Sequence, residues 1–292
     1  VDADANNAAD APFRLGVVDY LNMQPLIYGL QRCPARELEL HHGPPSRLAR
    51  WLEEGRIDMG MVPAGALFAH PEWVVVGRSM IGSRGPARSV LAMGAGPPEQ
   101  WRVLRPDSHS VTSNALCRIL LERRLGLRPR LGEPIPPDGW TPPDPLPVGE
   151  AFVAIGSRAL RWSKAWQAEG RPWTGLDLAD MWTRWTDLPF VFALWIARPG
   201  ASLGEWPERL EALKEENRPR IPQIAQQWPR LERDGLTVEE GAAYLTENIH
   251  FDLTDPALAG LERFYDEGRR LGLFPEGWQL RHIDRAEVHP RL

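Results

Sequence analysis

Three short stretches of this chain carry residue types suited to holding an anion. The first is the turn 19–24, where Asn22 lies between an apolar run ending at Tyr20 and a segment that Pro25 is suited to open as a helix. Its amide both donates and accepts hydrogen bonds. A turn at the carboxyl end of a strand and the amino end of a helix is where open α/β sheets bind ligands, because free N–H groups and the helix dipole favour negative charge there. Capping that helix is the plainer role for an Asn, and local spacing alone favours it. The second stretch, 80–93, holds Ser83, Arg84, Arg88 and Ser89. Arginine forks match a carboxylate in two parallel bonds, although a hairpin with solvated arginines fits the composition equally well. In the third, Thr112 and Ser113 precede an amphipathic run, 114–124. A hydroxyl-rich helix start is both the commonest cap and a ready anion site.

The elements that must position these residues alternate along the chain. Apolar runs at 14–20, 57–62, 73–76 and 151–155 read as buried strands, and 38–42 as a short alternating one. Between them, Ser46 is placed to cap a helix from Arg47 to Glu54, and a short helix follows Pro63. That alternation predicts a mostly parallel sheet with right-handed crossovers. Ser89–Met93 and Phe190–Ile196 read as two strands on which the chain crosses between domains, with Leu188–Ala197 the longest apolar strand. Eight prolines between Arg128 and Glu150 exclude a core helix or central strand there. The remainder, 208–271, reads as helices packed around the first domain.

Composition narrows the function classes. The 292 residues suffice for two domains, and 43% hydrophobic with 25% charged residues is ordinary for a globular protein. A formal net charge of −5 argues against a nucleic-acid partner and offers no basic membrane patch. No run reaches the roughly 18 apolar residues of a membrane span. The seven histidines and two cysteines, Cys33 and Cys117, form no metal-ligand spacing, so neither metal nor cofactor is expected. Two free thiols point to a reducing compartment and a cytoplasmic location. Residues 1–12 are acidic and small, lack the apolar region of a signal peptide, and are expected to be disordered. Phosphate loops, dinucleotide glycine motifs and serine-hydrolase elbows are missing from the sequence.

Six ordered blocks go further. Tyr20, Leu21, Asn22, Pro25 and Leu26 resemble the Tyr-Leu-Asn-x-x-Pro-Leu signature of the chorismate dehydratases of the futalosine route to menaquinone. The strand Ile57–Pro63, the segment Ser83–Val90 with Gly-Pro-x-x-Ser-Val, the pair Thr112–Ser113, and the late blocks Leu188–Trp195 and Tyr244–His250 are similar to that family in the same order. Ala64 and Ser157 depart from it, standing where relatives commonly have Ser and Asp. The resemblance implies a two-domain α/β fold like a type II periplasmic binding protein, with a tail 1–12, a first domain of 13–92 plus 194–292, and a second of 93–193.

The same resemblance implies a reaction without cofactor: chorismate loses water to give 3-[(1-carboxyvinyl)oxy]benzoate. It marks Asn22 and Ser89 as catalytic and Thr112 and Ser113 as substrate-binding; Tyr20, Ser83, Arg84, Arg88 and Gly156 are the further substrate-binding candidates. No Asp, Glu or His stands out as the base; Asp19 is adjacent, and the substrate's own side-chain carboxylate is the other candidate. A non-catalytic solute-binding protein for a small carboxylate, or the sister 1,4-dihydroxy-6-naphthoate synthase, would share the fold. The sequence sets no oligomeric state.

Overall fold

The computed structural model describes residues 11–136, 140–143, 145–169 and 173–283, so most of the amino-terminal tail expected to be disordered lies outside the described residues. The chain builds two mixed sheets. Strands β1 (Phe13–Val17), β2 (Leu38–His42), β3 (Met59–Pro63) and β4 (Val74–Ser83) belong to the first. The chain then leaves to form β5 (Val90–Ala95), β6 (Val103–Arg105), β7 (Arg130–Leu131), β8 (Glu150–Ile155) and β9 (Trp173–Asp177). It returns with β10 (Phe190–Ala197) and ends with β11 (His250–Asp252) and β12 (His282–Ile283). The first sheet runs β11-β4-β10-β3-β1-β2 with β12 also beside β4, and the second runs β7-β6-β8-β5-β9.

The strands form where burial demands them. Leu15, Val17, Met59, Met61 and Val62 are almost entirely removed from water, as expected of parallel strands covered on both faces. Each such side chain contributes on the order of 1.5–3 kcal/mol relative to exposure. β1 pairs parallel with β2 and β3, from Phe13 opposite Leu38 and from Leu15 opposite Met59. The pairing around β10 is different. β10 is antiparallel to both β3 and β4, with Phe190 opposite Ser83. A chain that leaves at the end of β4 and comes back from beyond that end must start where β4 stopped and run the other way. The sheets are therefore mixed rather than mostly parallel.

Other boundaries moved for local reasons. β4 continues through Gly82, where a Cβ would lie 2.7 Å from the Phe190 carbonyl oxygen; glycine marks a close backbone approach inside a strand. β5 pairs with β8 and β9 in the second sheet, so the outward crossing is the link 84–89 and not the strand Ser89–Met93. The helix Pro45–Glu53 begins on Pro45 and has no side-chain cap, so Ser46 lies in its first turn. The helix Ile221–Gln227 stops at Trp228, whose backbone is extended ahead of Pro229. We carry forward as a proposal the division into 13–92 with 194–292 and 93–193.

The return link is clamped by the helix Asp255–Arg270. A side chain on Gly260 would collide with the carbonyl oxygen of Pro189, which also accepts the indole N–H of the buried Trp182 at 3.3 Å. Gly260→Ala is expected to cost about 1–3 kcal/mol by overpacking. A denaturant melt read by near-ultraviolet circular dichroism checks this; a midpoint equal to that of the parent would mean that the helix shifts freely.

Candidate functional site

A narrow cavity of about 70 Å³ lies where the two sheets meet. Its walls come from the carboxyl ends of β1 and β3, the start of β5, the end of β8, the middle of β10 and the helix Val111–Ile119. Tyr20, Asn22, Ser89, Thr112, Ser113 and Gly156 all line it, together with Ser110 and an apolar wall that includes Met61, Ile81 and Phe192. Lining residues up to 231 positions apart in sequence (Val18 and Ile249) are thus brought together. Among the described lining residues, the polar groups are hydroxyls, one amide and backbone; none is a carboxylate, imidazole, amine or guanidinium.

The polar centre is a chain of three side chains. Tyr244 donates its hydroxyl to Ser89 Oγ at 2.9 Å, both groups being buried. The Asn22 amide also hydrogen-bonds the Tyr244 hydroxyl, while Asn22 Oδ1 is buried without a hydrogen-bond partner. A buried acceptor left open is costly unless a ligand fills it. Burial, opposed by the bonds from Ser89 and Asn22, pushes the Tyr244 phenol above its ordinary range, so it stays a neutral donor. Tyr244 opens a stretch, Tyr244–Asn248, where the helix Val238–Ala243 widens to i+5 hydrogen bonding, a distortion frequent at functional sites. By sequence, Tyr244 belongs to the helices packed around the first domain. Its only signal was membership of the last shared block, since a tyrosine's partner 155 residues away cannot be read locally.

Backbone geometry supports the same centre. Gly156 donates its N–H to the Ser89 carbonyl at 2.8 Å and has φ +57, a left-handed conformation. A Cβ there would press on the Tyr20 ring at 3.3 Å, so glycine leaves room for that ring against the cavity. Burial, and then the charge of Asp107, raises the Tyr20 phenol.

On the far side, Ser110 caps the helix Val111–Ile119 by accepting the Ser113 N–H at 3.0 Å. Thr112 and Ser113, expected at the cap itself, therefore sit in the first turn with buried hydroxyls. Thr112 Oγ1 accepts the Gly65 N–H at 2.9 Å, stitching β3's following turn to this helix. Asp107 holds the approach to the helix. It accepts the His109 N–H at 2.8 Å and pairs with Arg158 at 3.2 Å. Burial raises the Asp107 carboxyl despite that guanidinium.

The remaining expected residues lie elsewhere. Ser83 donates its hydroxyl to the Gly85 carbonyl at 2.9 Å and does not line the cavity. Arg84 is exposed and pairs with Asp187 at 3.2 Å, joining the outward link to the return link. Arg88 is exposed at φ +60, and its backbone N–H donates to the Asp177 carboxylate at 2.6 Å. Ser89, expected at a strand end of the first domain, directly precedes β5 of the second sheet. Asp19 is outside the cavity lining, bound to His42 Nδ1 at 2.7 Å and facing Arg230 at 3.5 Å.

Solved structures with this architecture are distant in sequence. A protein from Archaeoglobus fulgidus aligns over 90% of this chain and 98% of its own, with a TM-score of 0.64 and 15% identity. The alkanesulfonate-binding protein SsuA from Xanthomonas axonopodis pv. citri aligns over 91% of this chain and 95% of its own, with a TM-score of 0.62 and 12% identity. The periplasmic aliphatic sulphonate binding protein SsuA from Escherichia coli aligns over 96% of both chains, with a TM-score of 0.60 and 15% identity. These likenesses establish the two-domain fold of periplasmic binding proteins. They also overturn the cytoplasmic location expected from the free thiols, since the same fold serves a periplasmic protein and two unpaired cysteines do not assign a compartment. Cys117 is fully buried, and burial pushes its thiol up to about 12, which keeps it inert in either setting. No helix among the described residues is long and apolar enough to cross a membrane. The sequence itself matches a family model described as menaquinone biosynthesis over residues 13–270, and the chain belongs to that family.

Proposed function

We propose that this family member is a chorismate dehydratase, eliminating water from chorismate to give 3-[(1-carboxyvinyl)oxy]benzoate. The observation that carries the reading is the cavity lining: hydroxyls, an amide and a helix start, with no ionisable base among its described residues apart from the Tyr20 phenol. Such a site can place and stabilise charge, which suits an elimination whose driving force is the aromaticity of its product.

In the reaction, the ring carbon bearing the enolpyruvyl ether loses its proton and the neighbouring carbon loses its hydroxyl. The electron pair of the C–H bond becomes the new ring double bond as the C–O bond breaks. Negative charge developing at the first carbon spreads through the adjacent double bond into the ring carboxylate. Thr112 and Ser113, at the start of the helix Val111–Ile119, are the groups we assign to that carboxylate. Donors aimed there act more strongly on the transition state than on the ground state. The open Asn22 Oδ1 accepts the substrate hydroxyl before departure. Ser89, whose Oγ accepts from Tyr244, keeps its own proton to offer the departing oxygen. The enolpyruvyl carboxylate of the substrate takes the ring proton, which ends on the departing oxygen as water. No protein group changes charge over the cycle.

A free volume of about 70 Å³ holds only a few waters. Binding therefore requires the two halves to part along the links 84–89 and 186–189, and closure then excludes water.

Incubation with chorismate followed by chromatography is expected to yield the aromatic enol ether. Tight binding without turnover would mark a solute-binding protein, and turnover only of the later cyclised intermediate would mark the sister synthase. Asn22→Ala is expected to lower kcat/KM by about 10²-fold or more, and full turnover by this variant would remove Asn22 from its role. Tyr244→Phe is expected to lower kcat about tenfold with KM nearly unchanged, because the lost bond orients Ser89 and does not touch substrate. With the substrate as its own base, kcat should be flat from about pH 6 to 9. An acid limb that disappears in Asp19→Asn would place the base on the protein.

A further inference from the structure

Beside the closed cavity lies a larger, open one of about 550 Å³, and Tyr20 and Ile155 form part of the wall of both. The outer chamber has a different chemistry. Arg47, Arg158, Arg161, Arg230 and Arg233 line it, against the carboxylates of Asp19 and Asp234. His42 and His109 also face it. Such a concentration of guanidinium groups is unexpected in a chain of net charge −5.

Two of the arginines are committed within the fold. Arg158 pairs with the buried Asp107 at 3.2 Å, and Arg230 bonds the Asp19 carbonyl at 3.2 Å while facing its carboxylate. Asp234 is itself buried, with one oxygen accepting the Trp228 indole N–H at 2.8 Å. The other three are uncommitted. Arg47, Arg161 and Arg233 are exposed and have no carboxylate partner among the described residues. Arg47 makes only a loose ring contact, 5.8 Å from the Trp51 centroid. It also stands in the first turn of its helix, where the dipole disfavours a cation. These three come from elements far apart in sequence, so neither a local helix pair nor a fold-stabilising ion pair explains their convergence.

We propose that this chamber is an anion-collecting antechamber, which draws a small organic dianion from solution and delivers it past Tyr20 into the inner cavity. The proposal rests on the functional reading only for the identity of that dianion. A wall of net positive charge concentrates anions beside it and raises their rate of association. The inner cavity needs such help, because its described lining carries no positive side chain to attract a dianion over distance. Attraction and chemistry are thus divided between two compartments. The outer one supplies charge and remains open; the inner one supplies hydrogen bonds and closes.

Two measurements test this. Trp140 lines the antechamber, so the fraction of indole fluorescence lost in Trp140→Phe isolates its signal. Iodide, an anion, should quench that signal several-fold more effectively than neutral acrylamide does, and the excess should vanish in the double variant Arg161→Gln with Arg233→Gln. Quenching excess that is absent from the parent protein, or unchanged in the double variant, overturns the proposal whatever the protein catalyses. In steady-state kinetics with chorismate, kcat/KM should fall as salt is raised, because screening shortens the reach of the field. The double variant should show about five- to tenfold lower kcat/KM at low salt, unchanged kcat and a flattened salt dependence. A kcat/KM indifferent to salt, or equal in both proteins, overturns the delivery role. Absence of any turnover by the parent protein would instead refute the dehydratase reading and leave the iodide result to decide the antechamber.

Discussion

The hydrogen bond from Tyr244 to Ser89, 2.9 Å long and buried, ties the carboxyl-terminal helices to the outward link between the two sheets. Most of what makes the cavity specific depends on it. Ser89 is fixed at its other end as well, because its carbonyl accepts the N–H of Gly156 from the second sheet. The Asn22 amide joins the same tyrosine from the first strand–helix turn. One hydroxyl therefore sets the relative placement of three segments, and burial keeps it neutral. Buried polar groups that are fully satisfied rigidify their surroundings. The exception here is the Oδ1 of Asn22, buried without a hydrogen-bond partner on a residue that lines the cavity.

Around this centre, ion pairs hold backbone where hydrophobic packing alone would not. Arg14 and Arg198 converge on Asp58 at 2.7 and 2.8 Å, fastening β1 and the end of β10 to the turn before β3. Burial by itself would raise the Asp58 carboxyl, but the bonds from Arg14 and Arg198 outweigh it and hold the group below its ordinary range. Its stabilising contribution is present above the unfolded carboxyl pKa and is lost as pH falls through the lowered folded value. Asp107 is the opposite case. Burial outweighs Arg158 and raises the carboxyl, so the approach to the helix Val111–Ile119 is held mainly by hydrogen-bond geometry.

The links between the sheets carry their own constraints. Arg84 meets Asp187 across the two links, and Gly85 donates its N–H to Thr183 at 2.9 Å. Asp177 caps the helix Leu178–Thr186 and also accepts the Ala87 and Arg88 N–H groups. Lys164 reaches from the second domain to the Gly235 carbonyl and the Glu240 carboxylate at 2.9 and 2.7 Å. These contacts are mostly exposed and individually weak, which suits the opening and closing of the two halves in the proposed function.

What the sequence determined by itself was everything with a local cause. Apolar runs specified β1, β3 and β8 because burial on both faces excludes polar residues. Pro25 marked a helix start through its fixed φ, and the shared blocks named the family through Asn22, Ser89, Thr112 and Ser113. Tertiary structure alone decided what depends on who arrives opposite. β10 became antiparallel because the chain re-enters from the end at which it left, and β9 formed because β5 offered an edge. Ser110 took the cap position because its oxygen reaches the Ser113 N–H. Arg84 turned to Asp187 and away from the cavity. Tyr244 entered the centre, and Arg47, Arg161 and Arg233 met around one chamber, for the same reason. Hydrogen bonds and electrostatic fields act across space, and spacing along the chain records only neighbours in sequence.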